Sequence, residues 1–236
     1  MLHLTGRDAA RLDATAAAAR ERGARVHPAV LDVRDAAAMA GWIAAAGTLD
    51  LVVANAGISA GSGGATAGES AAQVRAIFAV NLDGALNTML PALEVMAAQP
   101  EGPGGIRGRI AVIASIAAFV AAPGAASYCA SKAAIDGWTV ASAPAARARG
   151  VVLTSVCPGY VRTPMTARNR FPMPGLMDAD HAARIILRGV ASGRTRVAFP
   201  NRMALAARAT GALPVGVRNW AMGRLAGKDP DVGGAG

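Results

Sequence analysis

The sequence predicts an α/β fold, a doubly wound parallel sheet with helices on both faces. Three observations lead there. Apolar strand patterns alternate with helical patterns from the N-terminus onward, the signature of repeated βα units. The run LDLVVAN at 49–55 is apolar without alternation, as expected of a parallel strand buried on both faces. The length, 236 residues, suits one such domain with an ample core.

In chain order, residues 2–5 read as a short strand and Gly6-Arg7-Asp8 as a turn into a helix closed by Gly23. Residues 25–31 are the next strand, leading into Asp32 and Val33, and Asp35 caps a helix reaching residue 46. After the 49–55 strand come a Gly- and Ser-rich loop, 58–68, and one long helix, 71–98, in which Pro91 is placed to cause a kink. Residues 101–108 are rich in turn formers, and 109–114 form the strand that delivers Ser115. Ser127 is expected to cap a helix reaching residue 149, with Pro144 disturbing its last turns. Strand 151–156, loop 163–177, helix 178–191 and a last strand 195–199 complete a domain of residues 1–200. Residues 201–236 form a basic extension with two short helices broken at Gly211 and Pro214.

Hydrophobic residues make up 53% of the chain but aromatics only 4%, so the core must be built from Ala, Val, Leu and Ile. No apolar run of about 18 residues is free of charges and helix breakers, which argues against a membrane span. The start, MLHLTGRDAARLD, lacks a secretory apolar region. Cys129 and Cys157 are isolated, as expected in a reducing, cytoplasmic compartment, and neither they nor His3, His27 and His181 have metal-ligand spacing. The net charge of +9 is uneven: residues 181–228 hold nine Lys and Arg and no acid. That basic stretch lacks the aromatic interleaving and reading helix of a nucleic-acid binder.

The chemistry concentrates in 115–132, SIAAFVAAPGAASYCASK. Tyr128 and Lys132 are four apart and share a helix face. A phenol with its ordinary pKa of about 10 is a poor acid or base at neutrality. An ammonium one turn away is expected to favour the phenolate and draw that pKa down. Ser115 adds a hydroxyl donor. In a chain with 22 Arg, only two Lys (Lys132, Lys228) and two Tyr (Tyr128, Tyr160), the pairing is selective.

Ser115 thirteen residues before Tyr128, within YCASKAAI, resembles the active-site segment of the short-chain dehydrogenase/reductase family. Asn55-Ala56-Gly57 resembles the family's NAG turn, Asn81 in VNLDGA its helix-borne catalytic Asn, and Cys157-Pro158-Gly159-Tyr160-Val161-Arg162-Thr163 its PG motif. The matches cover residues 1–200. The resemblance implies a Rossmann-like fold and hydride transfer between NAD(P)(H) and a hydroxyl/carbonyl pair on a small or acyl-chain substrate. It implies that Tyr128 is the general acid or base, that Lys132 lowers its pKa and holds the nicotinamide ribose, and that Ser115 hydrogen-bonds the substrate oxygen. Asn81 would hold a relay water; its plainer role is a helix Asn bonding locally. Asn55, Ala56 and Gly57 would pass the cofactor ribose or simply end a strand. Asp32 would contact adenine beside Val33 or start a helix. Pro158, Gly159, Val161 and Thr163 would line the cofactor.

Cofactor choice turns on charge. Gly6 stands where an acid would accept from a ribose 2′-hydroxyl, and Arg7 follows; a guanidinium fork suits a 2′-phosphate, so NADP(H) is preferred over NAD(H). No TGxxxGxG motif is present, and the first recognisable strand resembles the family's second. We therefore expect an N-terminally incomplete sheet with no strand between those at residues 2 and 49, a truncated reading of a longer protein, and weak cofactor binding. The rival function is a non-catalytic family member kept as an oligomer partner or binding module. Family members commonly pair through helices matching 71–98 and 127–149, implying a homodimer or homotetramer. In loop 163–177, Phe171, Met173, Leu176 and Met177 suit a hydrophobic substrate or core packing. In 201–228, Leu205, Leu213, Val217, Trp220, Met222 and Leu225 lie among Arg202, Arg208, Arg218 and Arg224. That composition suits peripheral contact with an anionic membrane, or a lid or oligomer contact.

Overall fold

The structure, a computed structural model, describes residues 1–62, 68–169 and 171–222, so expectations for Arg224, Leu225 and Lys228 lie outside the described residues. All strand pairs among the described residues are parallel. β1 (Leu2–Gly6) pairs with β2 (Val26–Val30) in one two-stranded sheet. β3 (Leu51–Ala54), β4 (Gly108–Ile113), β5 (Val151–Pro158) and β6 (Arg196–Phe199) form a second sheet in sequence order. β1 and β3 are not hydrogen-bonded to each other, as expected from the sequence.

The connecting helices have local causes. α1 (Ala9–Glu21) starts at Asp8, whose carboxylate accepts from Arg11 N at 3.0 Å, and Gly23 beyond its end has a φ of 84°. α2 (Ala36–Ala45) starts the same way, Asp35 accepting from Ala38 N at 2.9 Å, and buries Met39 and Ile43. α3 (Ala71–Phe78) and α4 (Gly84–Ala98) are joined without a break by a π-helical turn, Ala79–Asp83. The irregularity therefore falls at Asn81 and not at Pro91, which sits inside α4. By length and mean hydropathy, 1.3 over its window, Ala71–Ala98 could cross a membrane, although Arg75, Asp83, Pro91 and Glu94 interrupt it, as expected from the sequence. Here Met89, Ala92 and Met96 are fully buried against the sheet, the mark of a core helix.

α5 (Ala126–Ala148) runs through Pro144 unbroken. Ser127 is its second residue and not its cap; Glu69 Oε2 instead accepts from Ser127 N at 2.9 Å, so the cap comes from 58 residues away. α6 (Ala179–Ala191) follows β5, and α7 (Asn201–Gly211) and α8 (Val215–Met222) follow β6.

One face of the four-stranded sheet buries Val52, Ile110, Val112 and Leu153 against α2, α4 and α5. The other face buries Ala111, Val156, Val197 and Phe199 with Ala182 and Val190 of α6. β5 is buried along almost its whole length. β3 corrects the expectation of a strand covered on both sides: Leu51 and Val53 are 37% and 43% exposed. α1 packs on β1 and β2. α7 is docked on the domain: Ala204 is buried, and Gly211 lies so close to the Phe119 carbonyl that a Cβ has no room.

Candidate active site

Because the strands are parallel, their C-terminal ends deliver Arg7, Asp32, Asn55, Ser115 and Gly159, the edge at which open α/β sheets bind ligands. Ser115 leaves β4 with extended backbone and accepts from Ala117 N at 3.1 Å, which starts a short 3₁₀ turn, Ile116–Phe119. Its hydroxyl is hydrogen-bonded to the Tyr128 phenol. Lys132, one turn beyond Tyr128, is 5% exposed and donates from Nζ to the Ile113 carbonyl at 2.7 Å. The ammonium lies 5.9 Å from the Tyr128 ring centroid.

Desolvation pushes the Tyr128 phenol above its ordinary pKa, the Ser115 hydrogen bond offsets part of that rise, and Cys129 and Tyr160 add to it. The Lys132 ammonium donates to Ile113 O. With its pKa raised, the phenol is protonated at neutral pH, the state required of a proton donor.

Asn81 is 1% exposed and held on three sides. Its Oδ1 accepts from Ile58 N at 2.8 Å, and its Nδ2 donates to Ile58 O at 3.0 Å and to Ser131 Oγ at 3.1 Å. Ser131 donates in turn to the Tyr128 carbonyl at 2.9 Å. Asn81 thus ties the loop after β3 to the helix bearing Tyr128. Gly57 fits between: a Cβ there would lie 3.4 Å from both Asn81 Oδ1 and Lys132 Nζ. Asn55 and Ala56 are exposed at the strand end.

At the far side, Arg34 makes a fork on Asp32 Oδ2, with Nε at 2.9 Å and Nη2 at 2.5 Å, and Arg7 Nη1 lies 3.9 Å from the same oxygen. The Arg34 hydrogen bond holds the Asp32 carboxyl below the usual carboxylate range, against a smaller desolvation effect. Sequence reasoning missed Arg34, although an Arg two residues after an Asp is a local signal for such a turn. Val33 serves the fold: its side chain packs on Gly84 and its carbonyl accepts from Asn87 Nδ2 at 2.9 Å. Gly159 is crowded by Met203 and Pro200, 2.9 and 3.1 Å from where a Cβ would sit, so a side chain there would have to displace them. Pro158 ends β5, Val161 bridges to Met177, and the Thr163 and Thr166 hydroxyls bond each other and the surrounding backbone. A recess of about 420 Å³ opens at the opposite end of the sheet, but the Glu94–Arg149 and Glu101–Arg107 pairs line it and none of the groups above does.

The donor set fits a nicotinamide dinucleotide at both ends. Tyr128, Lys132 and the side-chain-free Gly57 would suit its nicotinamide ribose, and the Arg7 and Arg34 guanidiniums, both beside Asp32, would suit a phosphate at its other end. Fold and site together define an α/β oxidoreductase with a Ser–Tyr–Lys constellation. The family described as short chain dehydrogenase matches residues 1–173, and the chain belongs to this short-chain dehydrogenase/reductase family. An "uncharacterized oxidoreductase" of Myxococcus xanthus is 35% identical over 215 residues, which are 89% of this chain and 81% of that protein. A granaticin polyketide synthase putative ketoacyl reductase of Streptomyces violaceoruber is 36% identical over 181 residues, 73% of this chain and 63% of its own. The chain spans 28% of a probable oxidoreductase of Mycobacterium tuberculosis at 34% identity. Among solved structures, a short-chain dehydrogenase/reductase from Burkholderia phymatum in complex with NAD superposes with a TM-score of 0.77 at 23% identity. That superposition covers 88% of this chain and 82% of the other, and it shows the fold.

Proposed function

We propose that this oxidoreductase interconverts a hydroxyl and a carbonyl on a small or acyl-chain substrate and uses NADP(H) in preference to NAD(H). The observation that carries the reading is the Ser115–Tyr128 hydrogen bond with Lys132 buried one turn beyond. A bound dinucleotide supplies hydride chemistry. Ser115 orients the substrate oxygen, and Tyr128 gives its phenolic proton to that oxygen as negative charge develops there, or takes one in the reverse direction. Lys132 holds the ribose and stabilises the phenolate left behind, and Asn81 keeps the loop beside it in place. Arg7 and Arg34 support the NADP(H) preference, and the ketoacyl reductase relative supports an acyl chain. The test is Tyr128→Phe, which should lower NADPH-dependent carbonyl reduction by ~10² or more with the fold retained. A variant keeping more than about a hundredth of the rate overturns the assignment.

The same reading includes a cytoplasmic homodimer or homotetramer, paired through the helices of 71–98 and 127–149, where Leu90 is 46% exposed. It also includes peripheral contact with anionic membrane through α8, whose Val215, Val217 and Trp220 are exposed. A second reading, a non-catalytic oligomer partner or binding module, is supported by the separation of β1 from β3 and the bare Leu51 and Val53. In it the chain binds dinucleotide weakly, because Arg7 cannot replace several aligned N–H donors. Calorimetric titration with NADPH separates the two: low-micromolar affinity eliminates the second.

A further inference from the structure

Eight residues beyond Tyr128 and four beyond Lys132, on the same face of α5, lies Asp136, an acid 5% exposed. Its Oδ1 accepts from Ser155 Oγ at 2.6 Å and Arg196 Nε at 2.9 Å, with the Cys157 thiol at 3.4 Å, and its Oδ2 accepts from Arg196 Nη2 at 2.6 Å. Ser155 and Arg196 are register partners on β5 and β6, so both strands grip one carboxylate. Arg196 also lies over the Phe119 ring, 5.5 Å from its centroid, and Arg208 of α7 lies over it at 4.5 Å. Phe119 ends the short turn that Ser115 begins. A closed circuit results, from Ser115 through Phe119, Arg196 and Asp136 along α5 to Tyr128 and back to Ser115.

Resting on the oxidoreductase reading above, we propose that Asp136 and Arg196 are positioning residues that set the Tyr128 phenol and Lys132 ammonium against Ser115. A buried ion pair adds little net stability over apolar packing. A bidentate fork fixes both distance and orientation, which an apolar contact does not. Arg196 and Ser155 hold the inner face of α5 to β5 and β6, while Lys132 holds it to β4 through Ile113 O. Catalysis by Ser115 and Tyr128 on one oxygen tolerates little slippage between those carriers, since a misplacement of about 1 Å can cost ~10² in rate.

The test uses Asp136→Asn, nearly isosteric, and Arg196→Lys, which keeps the charge and loses the fork. Arg149→Gln, which breaks an exposed pair with Glu94 at the far end of α5, is the control. Tyr128 is watched directly by NMR with ¹³Cζ-labelled tyrosine in a Tyr160→Phe background, where it is the one remaining tyrosine. We expect kcat to fall ~10-fold or more in both variants with KM for substrate and cofactor within about twofold. The Tyr128 resonance should move by more than its linewidth, and the control should change neither. Wild-type kcat and an unmoved Tyr128 resonance in both variants, whatever their melting temperatures, would overturn the proposal. If the parent protein turns over no carbonyl, the oxidoreductase reading fails on that result, and the resonance alone then decides the positioning role.

Discussion

Replacing Asn81 by Ala removes the one side chain that satisfies both backbone groups of Ile58. The Oδ1 and Nδ2 contacts at 2.8 and 3.0 Å vanish together with the 3.1 Å bond to Ser131. A buried backbone donor or acceptor left unpaired costs ~1–3 kcal/mol. Ile58 is half-buried, so water recovers part of that loss and the lower end applies to each group. Two such groups and the vacated volume at a side chain 1% exposed sum to about 2–3 kcal/mol. For a domain of this size the melting temperature should fall by about 5–10 °C. Asp in the same place keeps the acceptor for Ile58 N, loses both donors and buries a charge, so Asn81→Asp should cost at least as much. Urea unfolding followed by circular dichroism, alongside thermal melts, measures both. A melting temperature within about 2 °C of wild type for Asn81→Ala would refute the reasoning, because the loop after β3 would then not depend on Asn81.

Arg7→Ala and Arg34→Ala should each weaken NADPH more than NADH in paired titrations; equal losses would show that neither guanidinium reads the 2′-phosphate. Burial pushes the Cys157 thiol up to about 12, with Asp136 adding to the rise. A group whose folded pKa is raised contributes stability fully present below its unfolded pKa and lost as pH rises, so stability should decline from about pH 9 toward 12, and less steeply in Cys157→Ala. Identical alkaline limbs for the two proteins would count against that assignment. Co-sedimentation with anionic vesicles at low salt should depend on residues 201–236 and weaken in raised salt, with neutral vesicles as the control. No sedimentation with anionic vesicles removes the membrane role of α8.

Much of the fold was legible because its signals are local. Asp8 and Asp35 cap their helices as short polar side chains before apolar runs should, and Gly23 takes the positive φ that a helix end requires. Ser115, Tyr128 and Lys132 were legible by spacing, since four residues on a helix dictate a shared face and a strand end dictates the edge at which Ser115 emerges. Other features were invisible for the opposite reason. Glu69 caps α5 from 58 residues away, Arg196 reaches Asp136 across 60, and no periodicity encodes such a pairing.

By itself, then, the sequence determined the alternation of strands and helices, the family, and the order in which the polar groups reach the sheet edge, all consequences of short-range spacing and propensity. Only the tertiary structure decided how those groups behave. It left Leu51 and Val53 exposed, with β1 and β2 hydrogen-bonded in a sheet of their own. It put the irregular turn at Asn81 and spent that side chain on Ile58 and Ser131. It buried the Tyr128 phenol and so raised its pKa, because desolvation depends on everything packed around a group and one-turn spacing does not encode that.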